Sequence, residues 1–512
     1  MRTTMKDIIY VLDFGSQYSH LITRRIRETG VLAELVAPDF PVTKLAQSKG
    51  IVLSGGPQNL SEKGALRVDK KVFAFGVPIL GICYGMQLTA FMLGGKVKAG
   101  KKSEYGPAQI TINKSSKIFA GLKKTQDTWM SHGDSVTKLP KGFVKVASSD
   151  NCPIAGMSDE KRKIYGLQFH PEVLHTTNGT KILDNFLKIC KAKRTWSMKD
   201  FISKSISKIK KDIGKNKVIC ALSGGVDSSV AATMVHRAIG KNLTCIYVDT
   251  GLMRAGETDK LRIMFKNHLR INLRIIKAEK QFFAKLKNVT DPEKKRKIIG
   301  ELFIRIFEKE ARKLGKIQYL VQGTLYTDAI TSGVSIGGKH TASIKSHHNV
   351  GGLPQKMDLK LIEPLRELYK DEVRQIGRML GLHKSITERQ PFPGPGLAVR
   401  IIGEVTKEKV ETLRLADSIV CEEVENSGEK LQQYFAVLPN LKSVGVQGDA
   451  RTYGHPIIVR ALTSKELLTV DWAKLPYNLL VKISSRITNE VKGINRVVYD
   501  ITSKPPGTVE WE

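Results

Sequence analysis

One glycine- and serine-rich run has the composition of an oxyanion-binding turn. It follows the apolar stretch 218–222 and precedes the apolar stretch 230–235, so the pattern predicts a strand, a turn and a helix. Glycines let backbone N–H groups approach an oxyanion closely, serine hydroxyls add donors, and the helix N-terminus adds partial positive charge. We therefore predict a nucleotide-binding loop made of Ser223, Gly224, Gly225, Val226, Asp227, Ser228 and Ser229.

The same loop indicates which phosphate reacts. No lysine follows its second glycine, which separates it from the loops that grip β- and γ-phosphates. We expect chemistry at an α-phosphate, with pyrophosphate leaving and with Asp227 as a Mg²⁺ ligand. The alternative is a turn that only caps its helix.

A second glycine-rich segment has a similar spacing. Residues 333–339 have P-loop spacing, but His340 stands where a hydroxyl should hold Mg²⁺, so we interpret them as a glycine-rich loop.

A second candidate site centres on Cys83. This cysteine lies between the apolar stretch 78–82 and a predicted helix, and it is flanked by Gly81 and Gly85. The pattern is typical of a nucleophile elbow, in which a sharp turn exposes the sulfur and the helix N-terminus stabilises negative charge on it. The alternative is a small, buried, unreactive side chain.

A thiol nucleophile needs a base, and His170 is the best candidate because it follows the strand-like stretch 164–167. Glu172 could orient its imidazole, which completes a nucleophile, a base and an orienting carboxylate. We expect the oxyanion hole to use the N–H groups of Gly56 and Tyr84. The implied reaction is amide hydrolysis through a thioester. The alternative for His170 is a loop histidine with an ordinary structural role.

Bulk properties narrow the class of protein. A chain of 512 residues suggests two to four domains, and no apolar run is long enough to cross a membrane. The six cysteines are dispersed without C-x-x-C pairs, which argues against disulfides and against a zinc site. With no signal peptide visible, we predict a cytoplasmic protein.

The formal net charge of +34 raises nucleic acid as a partner. The lysines that dominate it are, however, spread along the chain without interleaved aromatic residues. We therefore predict a lysine-rich solvated surface, with no nucleic-acid and no membrane partner. An RNA-modifying or RNA-binding protein remains an alternative.

Short apolar stretches alternate with helical patterns through most of the chain. This predicts an α/β protein with two successive doubly wound, mostly parallel sheet domains, followed by a smaller α+β dimerisation domain. The basic segment 188–194 and the proline-rich segment 389–396 mark the boundaries. We predict domains at residues 1–194, 195–388 and 389–512.

The motifs resemble a known enzyme family over essentially the whole chain. Residues 81–87 (GICYGMQ) and 169–173 (FHPEV) look like the class I glutamine amidotransferases, and residues 223–229 resemble the ATP pyrophosphatase loop. The order of these modules is similar to that of the glutamine-hydrolysing GMP synthase family. Further matching segments are 130–134 (MSHGD), 322–326 (QGTLY), 347–352 (HHNVGG) and 504–512 (KPPGTVEWE).

The resemblance implies a ligase that aminates xanthosine 5′-monophosphate (XMP) to GMP in purine biosynthesis, using glutamine and ATP with Mg²⁺, as a homodimer. It also implies a Cys83, His170 and Glu172 triad, and it adds Val248 and Asp249 to the ATP site. Lys345 would lie on a lid over the adenylate. The XMP site implied by the resemblance comprises Arg254, Gln447, Arg496, Lys504 and Glu510.

The chain departs from the family pattern near residue 327. Thr327 and Thr331 stand where the family usually has proline and glutamate, and Thr250 replaces the usual asparagine. Another adenylating amidotransferase, acting on a carboxylate such as nicotinate adenine dinucleotide, would use the same two loops with a different acceptor pocket.

Overall fold

The computed structural model describes residues 7–16, 18–60, 62–326, 328, 359–463 and 470–512, except for the side chains of 100–102 and 447. The described residues form two compact units, one up to Asp200 and the other from Phe201 to Glu512. Each unit is described by itself below.

Regular elements are named in chain order. The strands are β1 (Ile9–Leu12), β2 (Ala33–Val36), β3 (Gly50–Leu53), β4 (Ile79–Ile82), β5 (Lys96–Ile112), β6 (Thr125–Lys138), β7 (Val144–Ser148), β8 (Gly156–Asp159), β9 (Ile164–Leu167), β10 (Val218–Ala221), β11 (Leu243–Asp249), β12 (Asn272–Lys277), β13 (Tyr319–Val321), β14 (Lys360–Ile362), β15 (Gln433–Val437), β16 (Ser443–Gln447), β17 (Ala450–Thr463), β18 (Asp471–Trp472) and β19 (Ile494–Tyr499).

The described α-helices are α1 (Ser19–Glu28), α2 (Val42–Leu45), α3 (Tyr84–Met92), α4 (Gly179–Ile189), α5 (Met198–Ile213), α6 (Val226–Ile239), α7 (Glu257–Arg262), α8 (Glu279–Leu286), α9 (Pro292–Arg312), α10 (Lys370–Met379), α11 (Lys384–Thr387), α12 (Lys407–Ser427) and α13 (Tyr477–Glu490). Within the described ranges, no helix is both long enough and apolar enough to cross a membrane.

The first unit is built on a nine-stranded sheet in the order β2-β1-β3-β4-β9-β8-β7-β5-β6. Strands β2, β1, β3, β4 and β9 are parallel, and the remaining pairs are antiparallel. The parallel strands are short and apolar, and β1, β3, β4 and β9 are buried along their whole length. Strands that are buried on both faces of a sheet are apolar at every position, and such continuous apolar stretches in the sequence are typical of a parallel sheet.

Three neighbouring strands of this sheet position the first site. Strands β3, β4 and β9 lie side by side and run in the same direction. Their carboxyl ends therefore open at one edge of the sheet, where ligands of such folds usually bind. The segments that follow β3, β4 and β9 carry Gly56, Cys83 and His170, respectively.

The second unit begins with an all-parallel, five-stranded sheet in the order β12-β11-β10-β13-β14. Its central strand β10 leads into the glycine- and serine-rich loop, and its neighbours β11 and β13 end at the same edge. The nucleotide-binding loop is therefore held at the carboxyl edge of a buried sheet.

A mixed five-stranded sheet of β15 to β19 completes the second unit, with β17 at its centre. Helices α12 and α13 pack their apolar sides on it through residues such as Val420, Ile483 and Ile457. The same core continues into the parallel-sheet region through Val248 and Phe282. The two sheets of this unit consequently share one hydrophobic core.

The predicted fold class is confirmed: two α/β regions have parallel sheets or parallel sheet centres, and a mixed five-stranded sheet follows them. The boundaries at residues 194 and 388 stay predictions.

Candidate active sites

Cys83 occupies a strained turn between β4 and α3. Its backbone has φ 51° and ψ −109°, a region that side-chain-bearing residues rarely adopt. The flanking glycines make the turn possible, since a Cβ on Gly85 would lie 2.1 Å from the carbonyl oxygen of Leu53 and one on Gly81 would lie 2.5 Å from that of Gly85. The sequence pattern of the elbow is thus realised in its geometry.

Cys83 as a whole residue is only 5% exposed, and its sulfur has two polar neighbours. Its Sγ lies 3.5 Å from the carbonyl oxygen of Ser131 on β6. It also hydrogen-bonds with the imidazole of His170, the predicted base. The thiol is therefore next to a group that can accept its proton.

His170 and Glu172 form a buried pair behind the sulfur. The Nδ1 atom of His170 lies 2.7 Å from Oε1 of Glu172, and both side chains are almost fully buried. Burial alone would lower the pKa of His170, but the Glu172 carboxylate and the hydrogen bonds to Cys83 and Glu172 outweigh it and raise that pKa to about 10. The pair therefore favours the imidazolium form at neutral pH.

A glycine turn lies against this pair. A Cβ on Gly55 would lie 3.2 Å from Cε1 of His170, and one on Gly56 would lie 2.7 Å from the carbonyl oxygen of Phe14. Only glycine fits here without displacing its neighbours. Tyr84 is the first residue of α3, so its N–H is among those that a helix leaves without an internal partner.

The other buried thiol near this site has a different character. Burial, followed by the charge of Glu104, raises the pKa of the Cys152 thiol to about 12. Cys152 is therefore a neutral thiol and a poor nucleophile at physiological pH.

In the second unit, the loop after β10 is organised by its own serines. The hydroxyl of Ser223 lies 3.0 Å from that of Ser228 and accepts a hydrogen bond from the Gly225 N–H at 3.3 Å. The Ser229 hydroxyl donates to the Gly225 carbonyl at 2.8 Å. Gly224 has φ +78°, and α6 begins directly after Gly225. The loop therefore has the conformation of an anion-binding turn at a helix N-terminus.

Two basic residues that the sequence did not single out hold this loop. The guanidinium of Arg389 donates to the Gly224 carbonyl at 2.8 Å and pairs with Glu257. The ammonium of Lys370 lies 2.5 Å from Oδ2 of Asp227. Neither residue belongs to a recognisable sequence motif, and each is more than 140 positions from the loop. Local residue spacing therefore could not predict that they contact it.

The two carboxylate oxygens of Asp227 differ in their partners. Its Oδ2 is paired with Lys370, whereas its buried Oδ1 has no hydrogen-bond partner among the described residues. Burial raises the pKa of the Asp227 carboxyl, and the Lys370 ammonium opposes that shift. A carboxylate oxygen left without a partner fits Mg²⁺, which prefers oxygen ligands.

The adjacent strand β11 ends at the predicted ATP residues. Val248 is buried, and the carboxylate of Asp249 accepts hydrogen bonds from the Gly251 N–H at 3.2 Å and from the Thr258 hydroxyl at 3.1 Å. Asp249 is thereby fixed at the same sheet edge as the loop.

A cavity of about 660 Å³ opens beside the loop. Gly224, Ser229 and Tyr247 line it on the loop side, and Arg254 and Asp417 line it as well. The guanidinium of Arg254 forms an ion pair with Asp417, with Nε 2.7 Å from Oδ2. A cavity of this size is large enough for a nucleotide.

Of the other predicted XMP residues, Arg496, Lys504 and Glu510 do not line this cavity. Both carboxylate oxygens of Glu510 accept hydrogen bonds at 2.9 Å from the fully buried Arg400, and Gln433 adds a third. Arg496 lies on β19, and the Lys504 N–H donates to Val470 at 2.8 Å. The side chain of Gln447 and all of Lys345, Thr327, Thr331 and residues 333–352 lie outside the described residues.

Three parts of the chain match known families. Residues 10–190 match glutamine amidotransferase class-I, and residues 196–326 match NAD synthase. Residues 422–511 match the GMP synthase C terminal domain.

Three relatives that match over nearly the whole chain carry the same name. Proteins named glutamine-hydrolyzing GMP synthase are 54% identical in Clostridium tetani and 55% identical in Carboxydothermus hydrogenoformans, in each case over 99% of this chain and 100% of the relative. The protein of that name from Acetivibrio thermocellus is 54% identical over 99% of both chains.

The buried pair generates a prediction about charge. Replacing Glu172→Gln removes the negative charge that raises the pKa of His170, so we expect that pKa to fall clearly below its wild-type value of about 10. Nuclear magnetic resonance titration of ¹⁵N-labelled histidine measures it. The exposed Glu28→Gln substitution on α1 is the matched control and should leave the pKa unchanged. Equal values in Glu172→Gln and wild type would contradict the assignment.

Proposed function

The chain belongs to the glutamine-hydrolyzing GMP synthase family, and from that premise we propose how its two sites divide the reaction. The enzyme aminates XMP to GMP, a step of purine biosynthesis, with glutamine as the nitrogen donor and ATP as the activating substrate. The observation that carries the division of labour is the pairing, in one chain, of a thiol elbow backed by an ionic His170–Glu172 pair with a separate serine-rich loop.

We assign glutamine hydrolysis to the first unit. The proton shared by Cys83 and His170 lies on the imidazole at the start of the cycle, and the sulfur attacks the side-chain carbonyl carbon of glutamine as a thiolate. His170 returns a proton to the departing nitrogen, so that ammonia leaves and a glutamyl thioester remains. Water then attacks the thioester with His170 as the base, which releases glutamate and regenerates the thiolate. Glu172 holds the imidazole in orientation through the 2.7 Å contact at Nδ1.

The oxyanion formed in each attack needs donors that are already in place. We assign this role to the N–H groups of Gly56 and Tyr84. The tight packing of the glycine turn against Phe14 and His170, and the position of Tyr84 at the start of α3, support the assignment.

We assign adenylation to the loop of residues 223–229 and to Val248 and Asp249. The C2 oxygen of XMP attacks the α-phosphorus of ATP and displaces pyrophosphate. Ammonia then adds to C2, and AMP leaves with that oxygen as a proton is released, which gives GMP. The loop N–H groups and hydroxyls stabilise the negative charge of the departing pyrophosphate.

We propose Mg²⁺ as the ion that accompanies ATP, with Asp227 as its protein ligand. The partner-free, buried Oδ1 supports this, because it is the oxygen that Lys370 leaves unpaired. When bound, Mg²⁺ neutralises phosphate charge at the reacting end of ATP.

We propose Arg254, Gln447, Arg496, Lys504 and Glu510 as the XMP residues. Arg254 has the most direct support, since it lines the cavity beside the loop. The positively charged side chains of Arg254, Arg496 and Lys504 are suited to binding the phosphate group of XMP. Lys345 stays a lid residue by resemblance alone.

We also propose a homodimer formed through the C-terminal sheet. Val444 and Val446 on β16, with Tyr453 opposite Val444 on β17, expose an apolar face on which Val446 is 72% and Tyr453 is 73% exposed. Exposed apolar clusters of this kind usually mark interaction surfaces. Two-fold symmetry would cover the face with its own copy.

We also propose that the protein acts in the cytoplasm. All six cysteines are free, as expected in a reducing compartment.

The first test separates the two half-reactions. Cys83→Ala should lower glutamine-dependent GMP formation by about 10³-fold or more, because no thioester can form. GMP formation from added ammonium should persist. Chromatographic assay of GMP with each nitrogen source measures both. Cys190→Ala, another buried thiol of the same unit, is the control and should keep both activities. Loss of both in Cys83→Ala alone would mean that this residue is structural.

The second test concerns the metal ligand. Asp227→Asn should lower AMP formation from ATP and XMP by about 10²-fold or more, because the loop loses its anionic oxygen ligand. Glutaminase activity of the first unit should remain measurable. Asp259→Asn, on the exposed side of α7, is the control. Unchanged AMP formation in Asp227→Asn would refute the assignment.

The third test concerns assembly. Val446→Asp should convert the dimer to a monomer in sedimentation equilibrium, since a carboxylate would be buried in the interface. Val481→Asp places the same charge on the exposed side of helix α13, away from Val446, and should leave the dimer intact. A wild-type monomer, or a dimer that survives Val446→Asp, would overturn the proposed interface.

A further inference from the structure

A second cluster of chemically active side chains lies beside the Cys83 elbow in the first unit. Glu104 on β5, His132 on β6 and Cys152 between β7 and β8 are all buried, and their ligand atoms lie within 4.8 Å of one another. The proposed hydrolysis of glutamine uses none of the three. Because they are separated by 28 and 20 positions, the spacing rules that argued against a zinc site could not detect them.

The position of the proton on the His132 imidazole is fixed by a contact at Nδ1. Its Nδ1 lies 3.0 Å from the backbone carbonyl oxygen of Asp134. A carbonyl can only accept, so Nδ1 must carry the proton and donate. In the neutral imidazole, Nε2 then presents a lone pair.

That lone pair faces a second acceptor. Nε2 of His132 lies 3.1 Å from Oε2 of Glu104. Two acceptors at this distance repel each other unless a proton or a metal cation lies between them. The Cys152 sulfur, the third member, stands within reach of both atoms.

The surroundings resemble the outer shell of a metal site. The Ser149 hydroxyl lies 2.9 Å and 3.2 Å from the two carboxylate oxygens of Glu104, and it accepts from the Cys152 N–H at 3.0 Å. One serine therefore orients two of the three candidate ligands, while the Asp134 carbonyl orients the third. Metal-binding histidines and carboxylates are typically held by such second partners.

We propose that Glu104, His132 and Cys152 bind one divalent transition-metal ion of the zinc class. Sulfur, imidazole nitrogen and carboxylate oxygen are the donors that Zn²⁺ takes, and three protein ligands leave a fourth position for water. Binding replaces the thiol proton of Cys152, which is released to solvent. The carboxylate and the thiolate together neutralise the ion.

The site would have a structural role next to the nucleophile. His132 directly follows Ser131, whose carbonyl oxygen lies 3.5 Å from the sulfur of Cys83. The Asp134 carbonyl that holds His132 also accepts from Gln87 on α3 at 2.8 Å. An ion bound here would fix the 131–134 segment against the elbow.

The test uses the full-length protein and needs no variant at first. The purified chain is stripped with a chelator under mild denaturation, refolded with Co²⁺ or Zn²⁺, and dialysed. We expect about one metal ion per chain by elemental analysis, and a thiolate-to-cobalt charge-transfer band in the near ultraviolet. Refolded wild type that keeps neither metal would overturn the proposal, and the histidine–glutamate contact would then be held by a proton.

Variants identify the ligands. Cys152→Ala should abolish the charge-transfer band, whereas Cys190→Ala should keep it. Ser149→Ala should retain the band but weaken metal affinity about 10-fold, because it removes only an orienting hydrogen bond. A band that survives Cys152→Ala would overturn the assignment. If Cys152→Ala fails to fold, the Ser149→Ala affinity and the wild-type stoichiometry still decide. Glutaminase activity is not the readout, so the outcome is independent of the roles proposed for Cys83.

Discussion

The interaction on which the first site depends is the ionic contact between His170 and Glu172 in a buried setting. Burial by itself would keep the imidazole neutral, and a buried carboxylate without a partner would be costly. Together the two charges compensate each other, and the imidazolium can in turn stabilise negative charge on the Cys83 sulfur. The strained backbone of Cys83 is maintained by close packing of its flanking glycines, which places the sulfur against this pair.

The chain uses one architectural solution twice. In the first unit, adjacent parallel strands β3, β4 and β9 deliver the glycine turn, the thiol and the imidazole to one sheet edge. In the second unit, β10, β11 and β13 deliver the serine-rich loop, Asp249 and Gly323 to an equivalent edge. A Cβ on Gly323 would lie 2.8 Å from the backbone of Asp227, so the neighbouring strand packs directly on the loop. Parallel neighbours thus convert distant motifs into compact sites.

The sequence predicted those features of the fold and the sites that depend on a few neighbouring residues. The elbow at Cys83, the loop at Ser223 and the continuous apolar strands could be identified because glycine, serine and apolar periodicity act over a few positions. Lys370 and Arg389 could not, because long-range folding alone brings a lysine and an arginine to the loop. The C-terminal segment 504–512 gives another example, since no local sequence pattern predicted that Glu510 would pair with the buried Arg400.

The central claim is that Cys83 becomes covalently acylated during glutamine hydrolysis. Acid quenching of the enzyme during turnover with glutamine, followed by mass spectrometry of the peptide that contains Cys83, tests this directly. We predict a glutamyl thioester on Cys83, present during turnover and absent once glutamine is exhausted. Glutamate accumulating while Cys83 stays unmodified at every time point, or an acyl group on another cysteine, would contradict the account.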